Sequence, residues 1–132
     1  MQTLAPVLGI VAGTLALSGL AHYIKRAAAS GALDRNSAIG LRTQVTKSSD
    51  TAWREGHRAA GPWLLACAWT GYFSSAAAIP FALAMGSEEG SAPAAMAVPA
   101  TGFTAVVAVL AAATVVAHRR GRDAVQSRQA EK

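Results

Sequence analysis

Three stretches without a single Asp, Glu, Lys or Arg constrain this chain more than anything else in it: Gln2 to Ile24, Gly61 to Met85, and Ala92 to Ala117. At about 1.5 Å per residue, a helix over any of them is long enough to cross a bilayer core of roughly 30 Å. In hydrocarbon every backbone N–H and C=O must find its partner within the protein, and a helix satisfies them within one segment. Composition agrees, since 52% of the residues are apolar and only 14% charged, well below the charge of a soluble domain. The sequence therefore predicts an all-α integral membrane protein with three transmembrane helices, spanning about 4–24, 62–85 and 94–117. A polar cytoplasmic loop over 25–60, containing a short helix, joins the first and second. The domain plan is one three-span membrane domain over 1–118 and a basic cytoplasmic tail over 119–132.

The boundaries follow from local residues. A cleaved signal peptide competes for the first run, because Gly19 and Ala21 resemble a cleavage site, but Met1 to Pro6 lacks the basic residues that such a signal needs. A retained span is expected, its helix fraying near Gly31. Ser48, Ser49 and Asp50 offer a helix cap, and in the helix that follows Trp53, His57 and Ala60 share a face. Pro62 fits a first helical turn, whereas Pro80 is expected to kink or end its helix. Pro93 and Pro99 confine the regular part of the third helix to Ala100 onward, and Gly86 to Ser91 reads as a short loop. The tail from His118 has little apolar content and is expected to be disordered at its tip.

Charge sets the orientation. The formal charge is +5, but the bases sit in two segments beside uncharged runs, which fits a membrane surface and not direct nucleic-acid binding. Lys25, Arg26, Arg35, Arg42, Lys47, Arg54 and Arg58 lie between the first two runs; Arg119, Arg120, Arg122, Arg128 and Lys132 lie after the third; between the second and third there is none. Lys and Arg near span ends favour the cytoplasmic side. Three spans then place the N-terminus outside and the C-terminus in the cytoplasm.

Chemistry is sparse. The single cysteine, Cys67, supports neither an intrachain disulfide nor a cysteine metal site. His22, His57 and His118 fall near span ends, and solvent-capped interface histidines explain them better than a shared metal. No nucleophile elbow, zinc helix or phosphate loop occurs, so neither an enzyme nor a cofactor is expected. Small residues recur at spacing four, as Ala5, Gly9, Gly13, then Cys67, Gly71, Ser75, then Ala97, Thr101, Ala105. Such faces let helix backbones approach, either within the bundle or in a homo-oligomer.

The polar island from Asn36 to His57 is the exception to this plainness. It runs Asn36, then Gly40-Leu41-Arg42-Thr43, then Thr46, then Trp53 and His57. This order is similar to the signature of the SdpI-like family of bacterial membrane immunity proteins, an N-x-x-x-G-[IL]-R-T-x-x-T segment followed after about six residues by W-x-x-x-H or W-x-x-x-N, set between hydrophobic spans. The resemblance implies residence in the bacterial plasma membrane and immunity or signalling against a secreted antimicrobial peptide or toxin, with that peptide and a cytoplasmic repressor or other protein as partners. A small oligomeric transporter or permease accessory subunit is the alternative; it needs a polar stripe through the spans. Read physically, Gly40 permits a conformation closed to other residues, and Arg42 offers a donor to lipid phosphate or helix-end carbonyls. Trp53 suits the membrane interface, while Asn36, Thr43 and Thr46 can satisfy an irregular backbone. The island serves either as a tie that orients two helices or as a docking surface.

Overall fold

The computed structural model describes residues 4–85 and 92–131. Three helices account for most of them: α1 (Leu4–Ser30), α2 (Asp50–Met85) and α3 (Ala92–Ala130). Each is long and apolar enough to cross a membrane. At about 1.5 Å per residue, α2 and α3 are roughly 54 and 58 Å long, so both reach well past a 30 Å core. The segment expected as the loop between the second and third spans lies outside the described residues.

The helix ends are written in local chemistry. α1 stops where Gly31 takes φ 76°, with Ala32 N–H donating to Ala27 O at 3.0 Å and Gly31 N–H to Ala28 O at 3.4 Å. That paired closure satisfies carbonyls that the helix leaves open. α2 begins after Ser49, whose Oγ accepts from Ala52 N–H at 3.1 Å while its carbonyl accepts from Trp53 N–H at 3.0 Å. Asp50 in the first turn suits the positive end of the helix dipole.

Four expectations need correction. The helix capped at Ser49 runs on toward the second span as expected, and because nothing between Ser49 and Pro62 breaks the ladder, the short helix of the polar segment is the start of α2 and not a separate element. Pro80 does not end α2, which runs on to Met85, and Pro99 lies inside α3, which starts at Ala92. Each proline removes one backbone bond, a loss that membrane helices tolerate when neighbouring groups re-satisfy the freed carbonyl. The tail is helical to Ala130. Its first turns lean on the neighbouring polar segment, where a Cβ on Gly121 would stand 3.2 Å from Ala52 O and 3.3 Å from Val45 Cγ1.

α2 is the middle member, packed along both α1 and α3, while α1 and α3 touch least. The seams are built from small side chains. Cys67, Gly71 and Ser75 are buried, as that stripe predicted, and a Cβ at Gly71 would overlap Ser18 Oγ of α1. Gly102 of α3 lies so close to α2 that its Cβ would stand 2.5 Å from Ser74 Cβ. The other two stripes turn outward over most of their length, a Cβ on Gly9 meeting nothing within 4 Å and Ala97 and Thr101 being exposed, while Gly13 and Ala105 are half-buried and a Cβ on Gly13 would stand 3.9 Å from Phe103 Cε2. α1 instead presents Val7, Val11, Thr14, Ser18, Ala21 and Ile24, where Val7, Val11 and Ile24 add van der Waals contact to the close approach allowed by Thr14, Ser18 and Ala21. Thr14 and Ser18 return their hydroxyls to Ile10 O at 2.8 Å and Thr14 O at 2.7 Å.

The seams make a testable contrast. Gly71→Ala should destabilise the bundle by about 1–3 kcal/mol through overpacking, whereas Gly9→Ala should stay within about 0.5 kcal/mol. Thermal unfolding of both variants in detergent reads the difference. Equal effects would contradict the Ser18–Gly71 contact.

Candidate functional site

Residues 31–49 leave α1, cross the end of the bundle and enter α2 without regular structure. Their backbone groups must find partners elsewhere, and side chains supply them. The centre of the arrangement is His57, 2% exposed on the first turns of α2. Leu41 N–H donates to His57 Nε2 at 2.9 Å. An imidazole nitrogen that accepts from an amide carries no proton, so Nδ1 carries it and donates to Trp53 O at 2.9 Å. The neutral ring and its tautomer are thereby fixed.

Trp53 lies one turn before His57, with ring centroids 4.2 Å apart. Its indole N–H donates to Leu33 O at 2.9 Å. The segment is thus held twice, at Leu33 near its start and at Leu41 near its middle. Gly40 rests on both rings: its φ is 135°, and a Cβ there would stand 2.7 Å from Trp53 Cη2 and 3.0 Å from His57 Nε2. Any side chain would be both strained and overlapped, so the glycine is required by conformation and by space.

Thr43 and Thr46 close the next turn reciprocally. Thr43 N–H donates to Thr46 Oγ1 at 2.9 Å and Thr46 N–H to Thr43 Oγ1 at 3.1 Å. Thr46, with no exposed surface, donates its own hydroxyl to Leu41 O at 2.7 Å. Both polar groups of the Leu41 peptide are therefore met by signature side chains. Gly56 lets α3 approach from behind, since a Cβ there would stand 2.8 Å from Ala117 O and 3.0 Å from Thr46 Cγ2.

Of the residues singled out from sequence, Gly40, Thr43, Thr46, Trp53 and His57 meet in this network. Arg42 does not enter it: its guanidinium projects to the exposed surface and donates to Ser37 O at 2.8 Å, a loop carbonyl and not a helix end. Asn36 is exposed. It lines an open cleft of about 530 Å³ with Asp34, Arg35, Asp50 and Arg54, spanned by the Arg35 Nε to Asp50 Oδ1 ion pair at 3.3 Å.

One expectation is overturned by burial. Trp53 does not sit half in lipid; it is 2% exposed and its N–H is consumed by the protein. The exposed aromatics near these span ends are Tyr23 and Trp63. The three histidines are also separate, His22 Nδ1 lying 3.3 Å from Tyr72 Oη and His118 Nε2 3.0 Å from Arg122. Among the described residues no cluster of metal-binding side chains occurs. Sequence reasoning missed Leu33 and assigned no role to Leu41, although Leu41 stands in the signature; both are buried. Their signal was present: two leucines in a polar stretch, at the points where it is tied down.

Burial holds the His57 pKa below its ordinary 6.5, opposed in part by the bond to Trp53 O. In the folded state protonation is disfavoured, so the unfolded chain binds the extra proton first as pH falls. The contribution of His57 to stability is complete above 6.5 and is lost as pH drops from there through the lower folded value. Unfolding midpoints across this interval should fall for the native chain, and the step should vanish in His57→Gln, whose amide accepts from Leu41 without titrating. A step that persists in His57→Gln would assign the pH dependence to other groups.

No curated protein and no solved structure matches the chain. A family model does, over residues 32–118, which takes in the island, α2 and the membrane part of α3. The matched stretch contains every residue of the Leu41, Trp53 and His57 network, and on that match the chain belongs to the SdpI/YfhL protein family.

Proposed function

We propose that this SdpI-family membrane protein is a non-enzymatic binding and signalling protein, conferring immunity to a secreted antimicrobial peptide or toxin, or reporting it, through the signature loop. The observation that carries this reading is the division of labour within the signature. Five residues are spent on holding the loop, while Arg42 and Asn36 are left on its exposed side. A loop needed only to join two helices has no use for such a rigid mount, whereas a docking surface gains affinity from preorganisation.

The reading extends to location. The chain resides in the bacterial plasma membrane with the N-terminus outside and the C-terminus in the cytoplasm. Its support is that the basic polar segment and the basic end of α3 pack together at one end of the bundle, through Gly121 and Ala52, as the positive-inside rule requires. Reporter fusions at Glu88 and after Lys132 read this orientation, and cytoplasmic signal at Glu88 would overturn it. The transporter alternative needs a polar path, and the hydroxyls of Thr14 and Ser18 are already engaged by their own helix, which favours binding over transport.

Arg42 and Trp53 separate working surface from scaffold. Arg42→Ala should leave membrane abundance unchanged while survival under the cognate toxin, or reporter output, falls at least tenfold. Trp53→Ala removes a buried ring, at a cost of about 3–5 kcal/mol, and should lower abundance and output together. Blots of the membrane fraction beside the survival assay make the comparison. Full activity in Arg42→Ala would contradict a working role for the exposed side.

A further inference from the structure

A groove of about 740 Å³ opens between the end of α1 and the first half of α2, sharing Ala28, Arg54 and His57 with the Asn36 cleft. Its floor is Ala28, Ala29, Gly61, Pro62 and Leu65, and its charged rim is Lys25, Arg54, Arg58 and Glu55. Three bases against one acid leave a formal +2. His57, the other titratable group on the lining, is neutral in the tautomer set by Leu41. Arg58 reaches Glu55 only at 3.9 Å with its side chain 83% exposed, and among the described residues Lys25 and Arg54 make no ion pair.

The depth of the groove identifies what fills it. Tyr23 and Trp63, 55% and 44% exposed, are placed where interfacial aromatics belong: Trp63 directly follows Pro62 of the groove, and Tyr23 stands two residues before Lys25. The bases thus stand at headgroup level, and Leu65 continues the apolar floor toward the hydrocarbon. Gly61 lines the groove, and a Cβ there would meet nothing within 4 Å, so the space over it is free. A ligand matching this site carries negative charge at one end and an aliphatic chain at the other.

We infer that this groove binds an anionic phospholipid, its phosphate held by Lys25, Arg54 and Arg58 and one acyl chain lying over Gly61 and Leu65. The bound headgroup abuts Arg54, which also lines the Asn36 cleft, so occupancy couples the lipid surface to the outer face of the signature loop. The inference depends on membrane residence and not on the toxin reading.

Native mass spectrometry of the full chain in detergent tests it, with phosphatidylglycerol and phosphatidylcholine as probes and glycerol 3-phosphate as the headgroup without chains. One phosphatidylglycerol should bind per chain at least tenfold more tightly than phosphatidylcholine, and glycerol 3-phosphate should not compete. Arg54→Gln should weaken phosphatidylglycerol roughly fivefold, as expected for one base near an anionic lipid. Gly61→Leu, which fills the groove and keeps every charge, should weaken both lipids. Unfolding midpoints verify that the variants fold. Arg119→Gln with Arg120→Gln, in the adjoining cleft between α2 and α3 that shares Glu55, Arg58 and Pro62 with the groove but contains neither Lys25 nor Arg54, should weaken phosphatidylglycerol less than Arg54→Gln does. Equal affinity for the two lipids, competition by glycerol 3-phosphate, or loss of binding only in the Arg119 and Arg120 variant would each overturn the assignment.

Discussion

The hydrogen bond from Leu41 N–H to His57 Nε2, at 2.9 Å, is the interaction on which the polar end of this molecule depends. An irregular segment packed against helices must satisfy its buried amides from side chains, and each one left unmet costs about 1–3 kcal/mol. His57 meets the Leu41 amide, and that demand sets its tautomer, which in turn sends Nδ1–H to Trp53 O. Trp53 is then oriented to reach Leu33 O, and Gly40 must pass over both rings. A signature that looks like scattered residues is one chain of consequences. Removing either ring leaves a buried donor or acceptor without its partner, and any side chain at Gly40 overlaps both rings.

That network needs a wall behind it, and the helices supply one by outgrowing the membrane. α2 and α3 are both longer than a bilayer requires, and their excess lies at the same end. Small residues at Gly56, Ala117 and Gly121 let α3 press against the loop and the first turns of α2. The same device operates deeper down, where Gly71 accepts Ser18 and Gly102 accepts Ser74. Without a hydrophobic drive between helices in lipid, close backbone approach is what remains to hold them.

The spans were legible because the absence of charge over more than twenty residues admits few other solutions. The ends of α1 and α2 were legible from Gly31 and from the Ser48, Ser49, Asp50 trio, since caps are local chemistry. Helix continuity was not. Pro80, Pro99 and the charged tail each argue for a break when taken alone, and the packing of the neighbouring helix overrides them. Trp53 shows the same limit in the site. A tryptophan beside a span is read as an interfacial anchor until the loop is seen to fold over it, and which of two tryptophans is covered depends on contacts that spacing cannot reveal. Gly40 was the opposite case, because a glycine between polar turn formers points to backbone conformation directly.

The functional reading rests on the loop being mounted rigidly while its outer side stays available. Amide hydrogen exchange measures that mount at its centre. The Leu41 amide should exchange as slowly as amides in the middle of α2, while the amide of exposed Asn36 exchanges rapidly, and His57→Ala should release Leu41 without releasing α2. A Leu41 amide that exchanges as fast as Asn36 in the native chain would contradict the account.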